Sequence, residues 1–384
     1  MSTQAHAPTM MERVGVRYLR GLHRARRQER ADVVLDLGQR ARLDQIRNRA
    51  VIHALIVGAV YGGLVGVAET IVRRSVGLDE GVTDPAIVMR FWWIFASIAV
   101  PASILEIIYL WIISLRGVHA IAGVASLELF VDRDGQTVQE GAAVAGAMAR
   151  AALELPNPKK PLHGIDPMRE ASKLRLMVAS IAYKLKVGVT KFVFKAVVRR
   201  VLVRAALRVW APLIAIPVTA VWCGAVVWLV MREARVRALG ASAVREMSDA
   251  VFTDAPALSP AGRLAMMRAV AACIVRSRDL HPNLVLLLRD TMRHVEPLPE
   301  GALDEPSLFL EDLRNLPRAE QDLALRVLGI AAVLDGRFTR AEAHLFREAQ
   351  RAAGRTPDVS AVNRLRHSFV SGHPIEPAEV VGLA

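Results

Sequence analysis

The chain is poor in the residues that build rigid, self-contained secreted folds. Two cysteines in 384 residues, Cys223 and Cys273, cannot form a disulfide framework, and neither has a second cysteine or a nearby histidine to complete a zinc site. Their scarcity points to the reducing side of a membrane. The signatures of common catalytic machinery are also missing. The sequence contains no G-x-S-x-G elbow, no H-E-x-x-H helix, no Walker loop and no G-x-G-x-x-G turn. Its ten histidines are scattered, and only His344 has a ligand-type residue four positions further on, Glu348. That pair reads as a solvated helix face rather than a metal site. No cofactor and no metal are expected, and the chain reads as non-enzymatic. The first ten residues lack the basic, apolar and small-residue segments of a secretory signal, so the amino terminus is expected to be retained.

What the chain has in excess is apolar residues and positive charge. Hydrophobic residues make up 53% of the chain and its mean hydropathy is +0.30, both above the usual globular mix. The net charge of +13 is unevenly placed. Residues 1–50 hold 11 Lys/Arg against 5 Asp/Glu, and residues 159–208 hold 13 against 2, whereas residues 51–158 are mildly acidic and 209–384 balance at 20 against 20. Two basic blocks carry the whole excess.

The first block is charged and helix-friendly. Val14, Leu19, Val33, Leu35 and Leu43 are too sparse for a deep core, which predicts a solvated cytosolic helix over 1–50. Residues 51–72 then run 22 long with only His53 and Glu69 ionisable, which predicts a transmembrane helix closed by Arg73 and Arg74. Residues 91–115 predict a second span, with Trp92 and Trp93 at one end and Trp111 near the other. The loop between them is neutral while both flanks are basic, so the positive-inside rule predicts an out-and-back hairpin, 51–116, with both termini cytosolic. Within the second span Glu106 is an expensive intramembrane carboxylate, for which His53 is the nearest partner candidate in the first span.

Residues 117–239 read as a basic, membrane-apposed helical domain. A boundary is expected at the PNPKKP run, 156–161, and a long helical tract from Asp166. At about 100° per residue, Lys191, Lys195 and Arg199 form one row and Arg200, Arg204 and Arg208 another, with apolar residues between. Long basic side chains of this kind reach toward lipid phosphates, so anionic lipids are the expected partner. Nucleic acid is disfavoured because no DNA- or RNA-binding motif accompanies the block, which leads straight into an apolar run at 209–231. That run is long enough to cross a bilayer. Because it is flanked by basic residues on both sides, including Arg232, Arg235 and Arg237, it is expected to enter and return, or to be buried in the membrane-apposed domain, rather than to form a third span. The stretch from Lys191 to Arg237 distantly resembles the end of EcsC-like bacterial membrane-associated proteins.

From 240 onward the composition is that of a soluble helical domain. Asp335-Gly336 followed by Phe338 and Glu342 matches the second half of an EF-hand loop, but the first and third ligand positions would fall on Ala331 and Val333. Ordinary calcium binding is thereby excluded. The same residues read as a helix end at Asp335-Gly336 and a capping box from Thr339 to Glu342. With Ala331, Ala332 and Leu345, they resemble the TerB-like domains of bacterial tellurite-resistance and membrane-linked stress proteins. That resemblance implies an all-α bundle, often membrane-tethered, in a family thought to bind metal or partner proteins. The expected protein is therefore all-α: a transmembrane hairpin plus cytosolic helical domains, the last a TerB-like bundle at 240–384. It would lie in a bacterial inner membrane as an adaptor that meets a cytosolic protein partner and is able to self-associate. A channel or transporter subunit built on Glu106 is the alternative.

Overall fold

In the computed structural model, residues 9–24, 34–78, 84–125, 127, 137–155, 157, 161–170, 211–253, 255, 257–297 and 300–384 are described, without side chains at 137–143 and 211–215. The described residues are all-helical, with one isolated β-bridge, Leu162 to Ile165, and no strands. The helices are α1 (Met10–Arg24), α2 (Leu37–Ser75), α3 (Pro85–Val124), α4 (Thr137–Ala152), α5 (Ala211–Phe252), α6 (Pro260–Ser277), α7 (Pro282–His294), α8 (Pro306–Asn315), α9 (Arg318–Val333), α10 (Arg340–Ala352), α11 (Ser360–Ser371) and α12 (Pro377–Val381).

Three of them, α2, α3 and α5, are long and apolar enough to cross a membrane. At 1.5 Å per residue the 39 residues of α2 extend about 58 Å, nearly twice the hydrocarbon thickness of a bilayer. The charged first turns therefore project beyond any apolar layer. Pro101 and Pro217 both sit inside unbroken helices. The expectation that 209–231 enters and returns is thus corrected: residues 211–231 belong to one continuous helix that runs on to Phe252.

The chain divides into two compact units. One comprises Gln45–Gly117 and Ser172–Met231. Here α2 has two distinct faces. Ile52, Ile56, Val60, Leu64, Val67 and Ile71 form an exposed apolar stripe, while Gly58 and Gly62 lie on the opposite side against Ile216, Thr219, Ala220 and Cys223 of α5. In lipid, where apolar burial gives no net drive, helices associate by close backbone approach at small residues. A Cβ on Gly58 would come within 2.7 Å of the Thr219 carbonyl oxygen and 2.8 Å of the Ala220 Cα, so only glycine fits there.

The other unit comprises Met1–Asp44, Val118–Ala171 and Arg232–Ala384. Its centre is α6, buried on all sides from Ala265 to Val275, with α7, α8, α9 and α10 packed around it. A helix apolar all round belongs in the middle of a bundle. Its start is set by the Ser259 hydroxyl, which accepts from the Gly262 amide at 3.0 Å, and by Pro260 in the first turn. Glu320 of α9 accepts from the Ser259 amide and hydroxyl, both at 2.7 Å, so this buried carboxylate is satisfied where α9 crosses the start of α6.

Three features of this unit differ from the sequence reading. The amino-terminal block is not simply solvated, because α1 packs on α4, and Leu19, Leu35 and Leu43 are buried. Buried Glu12 pairs with Arg150 of α4 at 2.5 Å. Asn157, within the expected boundary, is bonded to the rest of this unit. The Asn157 amide donates to the Asp279 carboxylate at 2.9 Å and its oxygen accepts from Arg237. Residues 167–170 are turn rather than helix.

Candidate functional site

Glu106 on α3 is buried, at 4% exposed, and its partner is not the one expected. His53 is exposed on α2. The Cys223 thiol of α5, itself fully buried, instead donates to the Glu106 carboxylate at 3.0 Å. A thiol is apolar enough to sit in a helix interface and still supplies a donor to a buried acid. Nothing in the sequence separation of 106 and 223 could have linked them.

The richer constellation surrounds the Asp335-Gly336 turn. Gly336 has φ +76°, and its α carbon packs so closely that an added Cβ would stand 2.9 Å from Val236 of α5. The Asp335 carboxylate accepts from the Arg337 amide at 2.7 Å, and Thr339 and Glu342 form the expected reciprocal cap: the Glu342 carboxylate accepts from the Thr339 amide at 2.7 Å, and the Thr339 hydroxyl from the Glu342 amide at 3.3 Å. Both carboxylates are buried. Burial, reinforced by the neighbouring Glu342 charge, raises Asp335 to about 7, and burial also raises Glu342. The same burial pushes the Cys273 thiol well up, so it is an inert core residue rather than a nucleophile.

Residues that sequence reasoning missed hold this turn in place. Asn283, fully buried, donates to the Val236 carbonyl at 2.9 Å and to the Leu334 carbonyl at 2.8 Å, tying α5 to the residue before the turn. The His281 Nδ1 accepts from the Asn283 amide at 3.3 Å, which leaves Nε2 to donate to Glu233 at 3.2 Å. Burial holds this imidazole below its ordinary value, in keeping with a neutral ring. Arg237 bonds Glu233, the Asn157 oxygen and the Ala147 carbonyl. For Asn283 the only sequence signal is a polar residue on an otherwise apolar helical face.

The arginines after the apolar run are likewise internal. Arg235, 4% exposed, donates to the Val370 and Ser371 carbonyls and pairs with Asp44 at 3.2 Å. Arg40 donates to the Gly372 and His373 carbonyls at 3.3 and 2.7 Å and pairs with Glu246 at 2.5 Å. Both satisfy carbonyls left unpaired at the end of α11, where the helix dipole also favours a cation.

Glu348 pairs with exposed His344 at 3.0 Å, apart from the buried Glu342. Among the described residues no three His, Cys, Asp or Glu side chains gather as a metal-binding group. Lys191, Lys195, Arg199, Arg200, Arg204 and Arg208 lie outside the described residues. Comparison with protein-family models, with characterised proteins and with solved structures returns no match.

Proposed function

We propose that this is a non-enzymatic adaptor of a bacterial cytoplasmic membrane, which presents a TerB-like helical bundle to a cytosolic protein partner. The observation that carries the reading is the composition of the unit built around α6. Its three chain stretches run up to the first turns of α2, from the last turns of α3 onward, and from the end of the apolar part of α5, and they are bonded to one another through Glu12 and Arg150, Arg40 and His373, and Asp44 and Arg235. Stretches packed into one body share one side of a bilayer. This supports an out-and-back hairpin of α2 and α3 and a common side for both termini, independently of loop charge. The two basic blocks make that side the cytosolic one.

The TerB-like assignment rests on the helix, Asp-Gly turn and capped helix of α9 and α10. The outward row of α10, Arg340, His344, Arg347 and Arg351, is the surface we assign to the partner, arginine being favoured in protein interfaces. In-membrane cross-linking of the full chain tests this. Arg347→Glu with Arg351→Glu should remove cross-links to a cytosolic protein while helix content is retained. Unchanged cross-links would remove α10 from the interface.

The second reading, a channel or transporter subunit, is favoured by one observation, the buried Glu106 bonded to Cys223. Ion or proton flux in proteoliposomes that disappears in Glu106→Gln would establish it in place of the adaptor. No flux above that of empty vesicles is the expected result.

A further inference from the structure

The outward face of α1 is unlike the rest of its unit. At about 100° per residue, Arg20, Arg13, Arg17, Met10, Gly21 and Val14 fall in that order within an arc of about 120°. All six are exposed, Met10 at 74% and Val14 at 55%. No acidic residue of α1 falls within the arc. Glu12, the helix's one carboxylate, points to the other side, where it is buried against Arg150 of α4, and Leu19 is buried on the same side. The orientation of α1 is therefore set by its packing, and the arginines and large apolar side chains are held outward together.

A soluble partner's acidic surface would match the arginines but leave Met10 and Val14 in water. Anionic lipid matches both: guanidinium groups bind phosphates while neighbouring apolar side chains enter the headgroup and acyl boundary. The chain that carries α1 enters the bilayer at α2, so a phosphate surface is always at hand. We infer that α1 is an in-plane membrane-contact helix, which binds anionic lipid phosphates through Arg13, Arg17 and Arg20 and seats Met10 and Val14 at the interface. This rests on the membrane reading above and adds a second lipid contact to the one expected from the sequence of residues 191–208.

The test uses the full chain, reconstituted into vesicles of phosphatidylcholine alone or of phosphatidylcholine mixed with phosphatidylglycerol. An environment-sensitive fluorophore is placed at Val14→Cys. The parent chain, whose Cys223 and Cys273 are buried, supplies the labelling blank. Brominated acyl chains serve as quencher. The expected result is a blue shift and quenching of the probe only in the anionic vesicles. Both should be lost when Arg13, Arg17 and Arg20 are changed together to Gln and retained when they are changed to Lys. Quenching of the native tryptophans reports separately on the spans. Tryptophan quenching with an unquenched, water-exposed probe in both vesicles overturns the α1 inference alone, as it would if α1 instead faced an acidic protein. Equal quenching of the probe in neutral vesicles overturns phosphate recognition. Absence of tryptophan quenching overturns the membrane reading itself.

Discussion

Asp335 and Gly336 are adjacent yet answer to different physics. Gly336 is needed for its positive φ and for the 2.9 Å approach of Val236, so Gly336→Val is expected to destabilise the unit around α6 by about 2 kcal/mol or more, measured by chemical or thermal unfolding of the full chain in detergent. Glu342→Gln should cost well under that, because the amide oxygen can still accept from the Thr339 amide. A stabilisation of the parent by divalent ions that is lost in Glu342→Gln would instead place a metal at the turn. Asp335 sets a pH dependence. In the unfolded chain its carboxyl ionises near 3.8, whereas in the folded chain burial and Glu342 hold the proton to about 7. Between those values the folded state binds the extra proton, so stability falls as pH rises from about 4 to about 7 and is level above. His281, depressed by burial, contributes with the opposite sign as pH falls through its own range, so the comparison is made against Asp335→Asn. That variant is expected to flatten the fall by an amount on the order of a few kcal/mol. An identical pH profile in parent and variant would show that Asp335 is ionised when folded.

At the scale of elements, the contrast between two glycines of α2 tests how the apolar helices meet. A methyl group at Gly58 would stand 3.0 Å or closer to backbone and side chain of α5, whereas at Gly63 the nearest atom is the flexible Ile216 tip at 3.8 Å. Gly58→Ala should therefore lower the detergent melting temperature measurably and Gly63→Ala should leave it nearly unchanged. Equal shifts would mean that α2 and α5 do not pack at this face. Cys223→Ala removes a donor to Glu106 and should destabilise the same unit, while Cys223→Ser, which keeps a hydroxyl donor, should be milder. For the basic block, reversing Lys191, Lys195, Arg199, Arg200, Arg204 and Arg208 to Glu is expected to abolish binding of a 159–208 peptide to anionic vesicles, since juxtamembrane charges contribute about 1 kcal/mol each. Equal binding of the unmodified peptide to neutral vesicles would assign the attraction to apolar insertion.

For the whole molecule the decisive measurement is topology. Reporter fusions at Asp84 and at the carboxy terminus are expected on opposite faces of the membrane, and a fusion at Thr9 on the same face as the carboxy terminus. A carboxy terminus on the outer face would be incompatible with the bonds from Arg40 to Gly372 and His373, and the common-side reading would fail with it.

Much of the architecture was written in local pattern. Apolar run length is enough to identify helices that can cross a bilayer, because 1.5 Å per residue against a fixed hydrocarbon thickness leaves little choice. The Asp-Gly turn and the Thr339 to Glu342 cap were legible for the same reason, since their hydrogen bonds close within four residues. Tertiary structure decided whatever depends on residues far apart in the chain. It gave Glu106 a thiol from α5 rather than His53, and it turned Leu19 and Leu43 from scattered apolar residues into core. It also drew Arg235 and Arg237 out of the basic flank into the interior, where they bind carbonyls of other segments. A charge count along the chain treats an arginine as facing water or lipid. Only the fold determines that an unpaired helix end lies close enough to take it.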